Sequence, residues 1–142
     1  MSFLLDTNVV SELRKGPRAH RAVRGWFGAV RDDQLFVSTL VLGEIRQGVD
    51  RVRRKDPRSA EHLEQWLGGL AALYLGRVLP VDDRVADASG RLNVPDPLPA
   101  VDGLLAATAQ VHGLTLVTRN VRQLARTGVE LLNPFEATDV SG

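Results

Sequence analysis

Phe3-Leu4-Leu5-Asp6-Thr7-Asn8-Val9-Val10-Ser11-Glu12-Leu13 opens the chain with an apolar run that ends on a carboxylate. Three consecutive apolar residues read as a short buried strand, and Thr7-Asn8 ahead of a second apolar run reads as a helix start. Asp6 then stands at the C-terminal tip of the strand. In open parallel sheets ligands bind just beyond the carboxyl ends of the strands, which makes Asp6 a candidate for metal or phosphate chemistry. A helix cap reads equally well, because Asp, Thr and Asn all accept hydrogen bonds from free helix N–H groups. Other carboxylates reaching the same place would separate the two readings.

A second carboxylate follows a second strand. Leu35, Phe36 and Val37 mark a strand over Gln34 to Val37, reached through a helix over Ala19 to Val30 and the turn Asp32-Asp33. Ser38-Thr39 offers a cap, and the spacing of Val41, Ile45 and Val49 predicts a helix from Leu40 to about Val52. Glu44 adjoins that apolar stripe. The helix ends in Arg51-Val52-Arg53-Arg54-Lys55 and breaks at Asp56-Pro57. Ser59 is the expected cap of the next helix, Ala60 to Leu75, where Gly68-Gly69 allows close packing.

The rest of the chain repeats the alternation. Arg77 to Val81 reads as a strand, Asp82-Asp83 as the cap of a helix to about Leu92, and the proline-bearing Asn93 to Pro99 as a loop. Ala100 to His112 is an Ala-rich helix stopped at Gly113, with Asp102 in its first turn. Leu114 to Val117 is a near-continuous apolar strand suited to the centre of a parallel sheet. Thr118-Arg119-Asn120, a short helix over Val121 to Arg126, and a last strand over Val129 to Leu132 complete the pattern. Strands alternating with helices imply an α/β fold, a mainly parallel sheet covered on both faces. Residues 1–137 are expected to form one domain and 138–142 a polar tail.

Composition narrows the function. The chain has 142 residues, 44% hydrophobic and 25% charged, with 18 basic residues against 17 acidic ones. There is no strong overall basic field, so nucleic-acid binding has to come from local patches. The absence of cysteine excludes disulfides and Cys-based metal sites. No signal-peptide pattern and no apolar run of membrane-spanning length occurs, and the expected location is the cytoplasm.

Asp102 lies among Ala100, Val101, Gly103, Leu104 and Leu105, where an unpaired charge is costly. Three carboxylates converging without basic neighbours repel one another unless a divalent cation neutralises them. Mg²⁺, hard and oxygen-liganded, is the natural occupant. Zinc is disfavoured: His20, His62 and His112 have no ligand spacing.

Five motifs occur in order: Leu-Leu-Asp-Thr-Asn, Ser followed by Glu six residues later, Asp-Gly-Leu-Leu-Ala-Ala-Thr-Ala, Leu-Thr-Leu-Val-Thr-Arg-Asn, and Asn-Pro-Phe. Together, from Phe3 to Phe135, they resemble the PIN domain. More narrowly they resemble the toxin ribonucleases of VapBC-type toxin–antitoxin pairs, in the FitB-like branch. The resemblance implies a three-layer α/β/α sandwich and an endoribonuclease dependent on Mg²⁺ or Mn²⁺ that leaves a 5′-phosphate and a 3′-hydroxyl. The family's first three acids fall on Asp6, Glu44 and Asp102, the metal ligands of the implied catalytic set. Its fourth, usually Asp, falls on Gln123, which carries no charge, so a catalytically weak or inactive protein acting by RNA or antitoxin binding is the alternative. Thr118 and Asn120 match the family's polar residues beside the metal, and Thr7 and Asn8 support Asp6 or cap the first helix. A cognate antitoxin, an RNA substrate and a homodimer are the implied partners.

Arg14, Arg51, Arg53, Arg54 and Arg119 are candidate contacts to RNA or antitoxin; a basic run closing a helix also reads as a solvated end favoured by the dipole. Asp82 and Asp83 rival the acids as ligands but read better as caps, and Glu12 is expected to face solvent. A phosphoacceptor receiver domain needs a lysine after a late strand, and only Lys15 and Lys55 exist. A P-loop is excluded because no Gly-Lys-Ser/Thr occurs.

Overall fold

The structure is a computed structural model and describes residues 1–136. The expected tail, 138–142, lies outside the described residues.

Strand β1 (Phe3–Leu5) is buried at every residue. It pairs in parallel with β2 (Leu35–Ser38) on one side and β4 (Thr115–Val117) on the other. Strand β3 (Val78–Leu79) lies beyond β2 and β5 (Leu131–Leu132) beyond β4, so the order is β3-β2-β1-β4-β5 and every pair is parallel. The unbroken apolar runs are what such a sheet demands: Leu4, Leu5, Leu116 and Val117 are wholly excluded from solvent.

Parallel neighbours require crossover connections, here made by helices. Helices α1 (Thr7–Leu13) and α2 (Arg21–Ala29) link β1 to β2, and α3 (Thr39–Lys55) and α4 (Pro57–Leu73) link β2 to β3. Helices α5 (Asp83–Leu92) and α6 (Ala100–His112) carry the chain back across the sheet to β4, and α7 (Val121–Leu124) leads to β5. Right-handed crossovers running in opposite directions place α1 to α4 on one face and α5 to α7 on the other. Val9, Val10, Val41, Ile45, Val49, Leu67 and Leu70 fill the first interface; Leu105, Ala106, Ala109 and Leu124 fill the second. Each fully buried Leu or Val contributes about 1.5–3 kcal/mol, so this two-sided core is the main source of stability. The expected α/β/α sandwich is present.

Local signals account for most helix ends. Ser38 caps α3 through Leu40 N–H, Asp82 caps α5 through Val85 N–H, and Gly113 ends α6 at φ +66, a left-handed position open to glycine. Three expectations are corrected. Helix α4 starts at Pro57, not Ala60, because Asp56 is its cap and proline suits the first turn; Ser59 donates to Asp56 instead of capping. Gly68 and Gly69 are exposed and a Cβ at either would meet nothing within 4 Å, so they permit no close approach. Glu12 turns inward, where it accepts from His20 N–H at 2.9 Å and Lys15 Nζ at 3.1 Å.

Candidate active site

Strand order reverses between β1 and β4, where the chain leaves β1 toward one edge and returns on the other side. This switch point opens a crevice at the carboxyl ends of the strands. Asp6 stands at the tip of β1 and Thr118 directly after β4, and Asp6 N–H donates to Val117 O at 3.0 Å.

Asp6 is only 5% exposed. Its Oδ1 accepts from Thr7 N–H at 2.6 Å, while Oδ2 accepts from Thr118 Oγ1 at 2.6 Å and Asn8 Nδ2 at 3.0 Å. Asp6 is therefore also the N-cap of α1. Thr7 and Asn8 do not cap the helix; they serve the acids. The Thr7 hydroxyl donates to Glu44 Oε1 at 2.5 Å, which ties the second turn of α3 to the start of α1. Asn120 closes the other side, its Nδ2 3.5 Å from Asp102 Oδ2 and its N–H 3.1 Å from Thr118 Oγ1. Thr118 and Asn120 thus act on the acids, and Asn120 makes no side-chain cap of α7.

Asp6, Asp102 and Glu44 share one electrostatic field. Burial, then the negative charge of Asp6, push the Asp102 carboxyl above the ordinary carboxylate range; Asn120 opposes the rise and Glu44 adds to it. Among the described residues the ion pairs engage Glu12, Asp33, Asp50, Glu64 and Asp87, and none engages these three acids. The charge of buried Asp6 is thus held only by the polar groups around it.

Two observations test the fit to a divalent cation. The acids need positive charge that the surrounding chain does not supply. In addition, Asn8 Oδ1 is the one buried side-chain polar atom among the described residues with no hydrogen-bond partner. Such a carbonyl oxygen costs about 1–3 kcal/mol unless a ligand or water satisfies it. Among the described residues no three acidic or histidine groups stand close enough to enclose an ion by themselves. Mg²⁺ does not ask for such a cage, since it takes one or two carboxylates and keeps several waters. The donor set, all oxygen, fits that ion.

The remaining candidates make no hydrogen bond or ion pair to the three acids. Gln123 is exposed on α7 and hydrogen-bonds to none of the three acids. Arg53 is engaged by Asp50 at 2.5 Å and Glu64 at 2.9 Å. Arg14 lies 5.9 Å from the Trp66 ring, on the wall of an apolar groove of about 370 Å³ lined by Val10, Leu13, Phe27, Trp66, Leu70 and Tyr74. Arg51 and Arg54 are exposed at the far end of α3. Arg119 lies over the Phe135 ring at 3.7 Å. Asp82 and Asp83 are used at the start of α5.

A parallel sheet in this order with an acidic crevice at its switch point defines a class, and the family model for the PIN domain matches residues 3–130. The chain belongs to the PIN-domain family. Among its relatives are Toxin FitB of Neisseria gonorrhoeae, 31% identical over 94% of this chain and 98% of that protein, and VapC ribonuclease Y4jK of Sinorhizobium fredii, 33% identical over 94% and 98%. The crystal structure of FitAcB from Neisseria gonorrhoeae superposes with a TM-score of 0.86 at 29% identity, covering 94% of this chain and 99% of that one. A toxin-antitoxin complex from Klebsiella pneumoniae superposes with a TM-score of 0.72 at 25% identity over 95% and 99%.

Proposed function

We propose that this chain is an endoribonuclease of the VapC type, the toxin of a type II toxin–antitoxin pair, which hydrolyses RNA phosphodiester bonds at the Asp6 centre. The observation that carries the reading is the trio of buried Asp6 with half-buried Asp102 and Glu44, unpaired with any base, at the switch point of a PIN-domain sheet. Its relatives FitB and Y4jK, a toxin and a ribonuclease by name, support it.

Asp6, Asp102 and Glu44 would position Mg²⁺, or Mn²⁺ in its place, directly or through the waters the ion keeps. Such an ion supplies a water of lowered pKa and stabilises charge on a phosphodiester oxygen. The chain's own residues preorganise the centre. Thr118 and Asn8 hold Asp6 Oδ2, Thr7 fixes Glu44, and Asn120 restrains Asp102. Asp102 gains from a cation, because burial and two like charges disfavour its ionised form. With Gln123 uncharged and hydrogen-bonded to none of the acids, the centre has three carboxylates, a set suited to one ion.

The protein partner is an antitoxin, as in the complex from Klebsiella pneumoniae. The groove between α1, α2 and α4 is apolar, with Arg14 and Arg24 on its lining, and suits an amphipathic acidic segment of that partner. No described helix is long and apolar enough to cross a membrane; a cytoplasmic homodimer acting on cellular RNA is the working form.

The test is cleavage of total RNA by the purified protein with Mg²⁺, with Mn²⁺, and with EDTA. Cleavage should require the metal, and Asp6→Asn should abolish it while the chain stays folded. Metal-independent cutting, or full activity in Asp6→Asn, would falsify the assignment. Binding of RNA without any cutting would instead favour a non-catalytic protein.

A further inference from the structure

We propose that Arg119, stacked on Phe135, is a preformed clamp for a backbone phosphate of the RNA strand entering the Asp6 centre, and that Phe135 and His20 position it. This rests on the ribonuclease reading above.

Arg119 is set between two residues that touch the acids. Thr118 on one side donates to Asp6, and Asn120 on the other lies against Asp102. Its backbone is therefore fixed at the rim of the acidic centre. The side chain is held as well. The guanidinium lies 3.7 Å from the centroid of the Phe135 ring. Phe135 in turn packs against the His20 ring, centroids 5.4 Å apart at an interplanar angle of 69°. Both supports are anchored: Phe135 N–H donates to Asn133 Oδ1 at 3.0 Å, and His20 Nδ1 accepts from Ala22 N–H at 3.2 Å.

Stacking uses the flat face of a guanidinium and leaves its rim of N–H donors free. Among the described residues the ion pairs engage Lys15, Arg31, Arg46, Arg53 and Arg91, not Arg119. The result is an oriented, exposed fork of donors that matches a phosphate. An anionic strand approaching three carboxylates is repelled, so a cation at the rim is what admits it. The other candidate arginines are placed less well. Arg53 is engaged by acids, Arg14 faces the apolar groove, and Arg51 and Arg54 lie about 10–15 Å beyond Glu44 along α3 at the helical rise per residue. Ordering Arg119 before the ligand arrives lowers the entropy lost on binding.

The test uses the full chain carrying Asp6→Asn and a fluorescein-labelled, mixed-sequence single-stranded RNA of about 20 nucleotides, titrated by anisotropy across a range of salt. Arg119→Ala should weaken binding roughly tenfold and reduce the slope of log K against log salt by about 0.7, the contribution of one phosphate contact. Arg119→Lys should keep the slope and bind more weakly than the parent. Phe135→Leu should weaken binding at unchanged slope, and Phe135→Tyr should restore it, which a merely structural role at that position does not produce. Melting by circular dichroism confirms that each variant is folded. If the parent binds RNA and Arg119→Ala leaves affinity and slope unchanged, the clamp is overturned while the ribonuclease reading stands. If the parent binds no RNA and the wild-type chain cuts none, both fall. Arg119-dependent binding of poly-L-glutamate with Arg119-independent binding of RNA makes the site an acidic-peptide contact and overturns the proposal.

Discussion

The Thr118 hydroxyl donates to Asp6 Oδ2 at 2.6 Å, joining residues 112 positions apart. Thr118 is wholly buried and Asp6 nearly so, so this bond is made in a low-dielectric setting where a charged acceptor depends on each donor it has. Thr118→Val keeps the shape and removes the donor. It should destabilise the protein by about 1.5–3 kcal/mol, the range for a hydrogen bond to a charged group. Cleavage should fall roughly 10- to 100-fold, as when partners that orient metal ligands are lost. Thr118→Ser should recover most of both. Chemical denaturation beside a cleavage assay checks it, and a Val variant as stable and active as wild type would remove Thr118 from the site.

Asp102 supplies a pH test whose sign is opposite to that of an ordinary paired carboxylate. Its pKa in the folded chain is raised, by burial first and then by Asp6, with Glu44 also contributing. The folded state thus holds the proton more tightly than the unfolded state. The group's favourable contribution is complete below the unfolded pKa and is lost as pH rises through the folded one. Asp102→Asn, which stays neutral, should stabilise the metal-free protein at neutral pH. The gain should vanish at pH values below the ordinary carboxylate range. Melting curves in EDTA at several pH values measure it; a variant less stable at neutral pH would show that Asp102 is held by something other than its charged neighbours.

Much of this site was legible because its acids follow apolar runs that can only be strands or helix stripes. Leu4-Leu5 places Asp6, and the Val41-Ile45-Val49 stripe places Glu44 beside the core. What stayed hidden was nonlocal. Thr7 reads as a cap because capping is local, whereas its hydroxyl reaches Glu44 across 37 positions. Asp6 cannot be resolved into cap or ligand by sequence, since one carboxylate has two oxygens and divides them between Thr7 N–H and Thr118. The contacts of Phe135 are likewise nonlocal, because its ring meets Arg119 and His20 only after the sheet has closed. The start of α4 was misplaced for a different reason: Asp56-Pro57 signals a break and a first turn alike, and here the break is simply the junction of two helices.

That junction makes α3 and α4 a hairpin, bound across its exposed side by Glu64. Both Glu64 oxygens accept from the Arg46 fork at 2.6 Å, and Arg53 donates to Oε1 at 2.9 Å. The Arg46 hydrogen bonds first, and those of Arg53 next, lower the Glu64 pKa to about 2. A depressed folded pKa gives stability that is present above the unfolded carboxylate value and is lost as pH falls toward about 2. Glu64→Gln should therefore lower the melting temperature at pH 7 and make little difference near pH 2. High salt should shrink the pH 7 effect, because the pairs are exposed. Equal melting temperatures at pH 7 and low salt would show that the network contributes nothing.

Gln123 tests how many acids the centre uses. It lies on α7, exposed, and hydrogen-bonds to none of Asp6, Glu44 and Asp102. A carboxylate there would meet solvent and lack the donors that hold Asp6 in place. The charge of an exposed carboxylate, screened by water, adds little to ion affinity. Gln123→Asp should therefore leave the Mn²⁺ stoichiometry by calorimetry at one ion per chain and change the cleavage rate less than about threefold, under 1 kcal/mol in barrier. Gln123→Ala should behave alike, because no contact to the acids is removed. A second ion bound by the Asp variant, with faster cleavage, would mean that α7 swings its third residue into the crevice and that the fourth position is part of the working site.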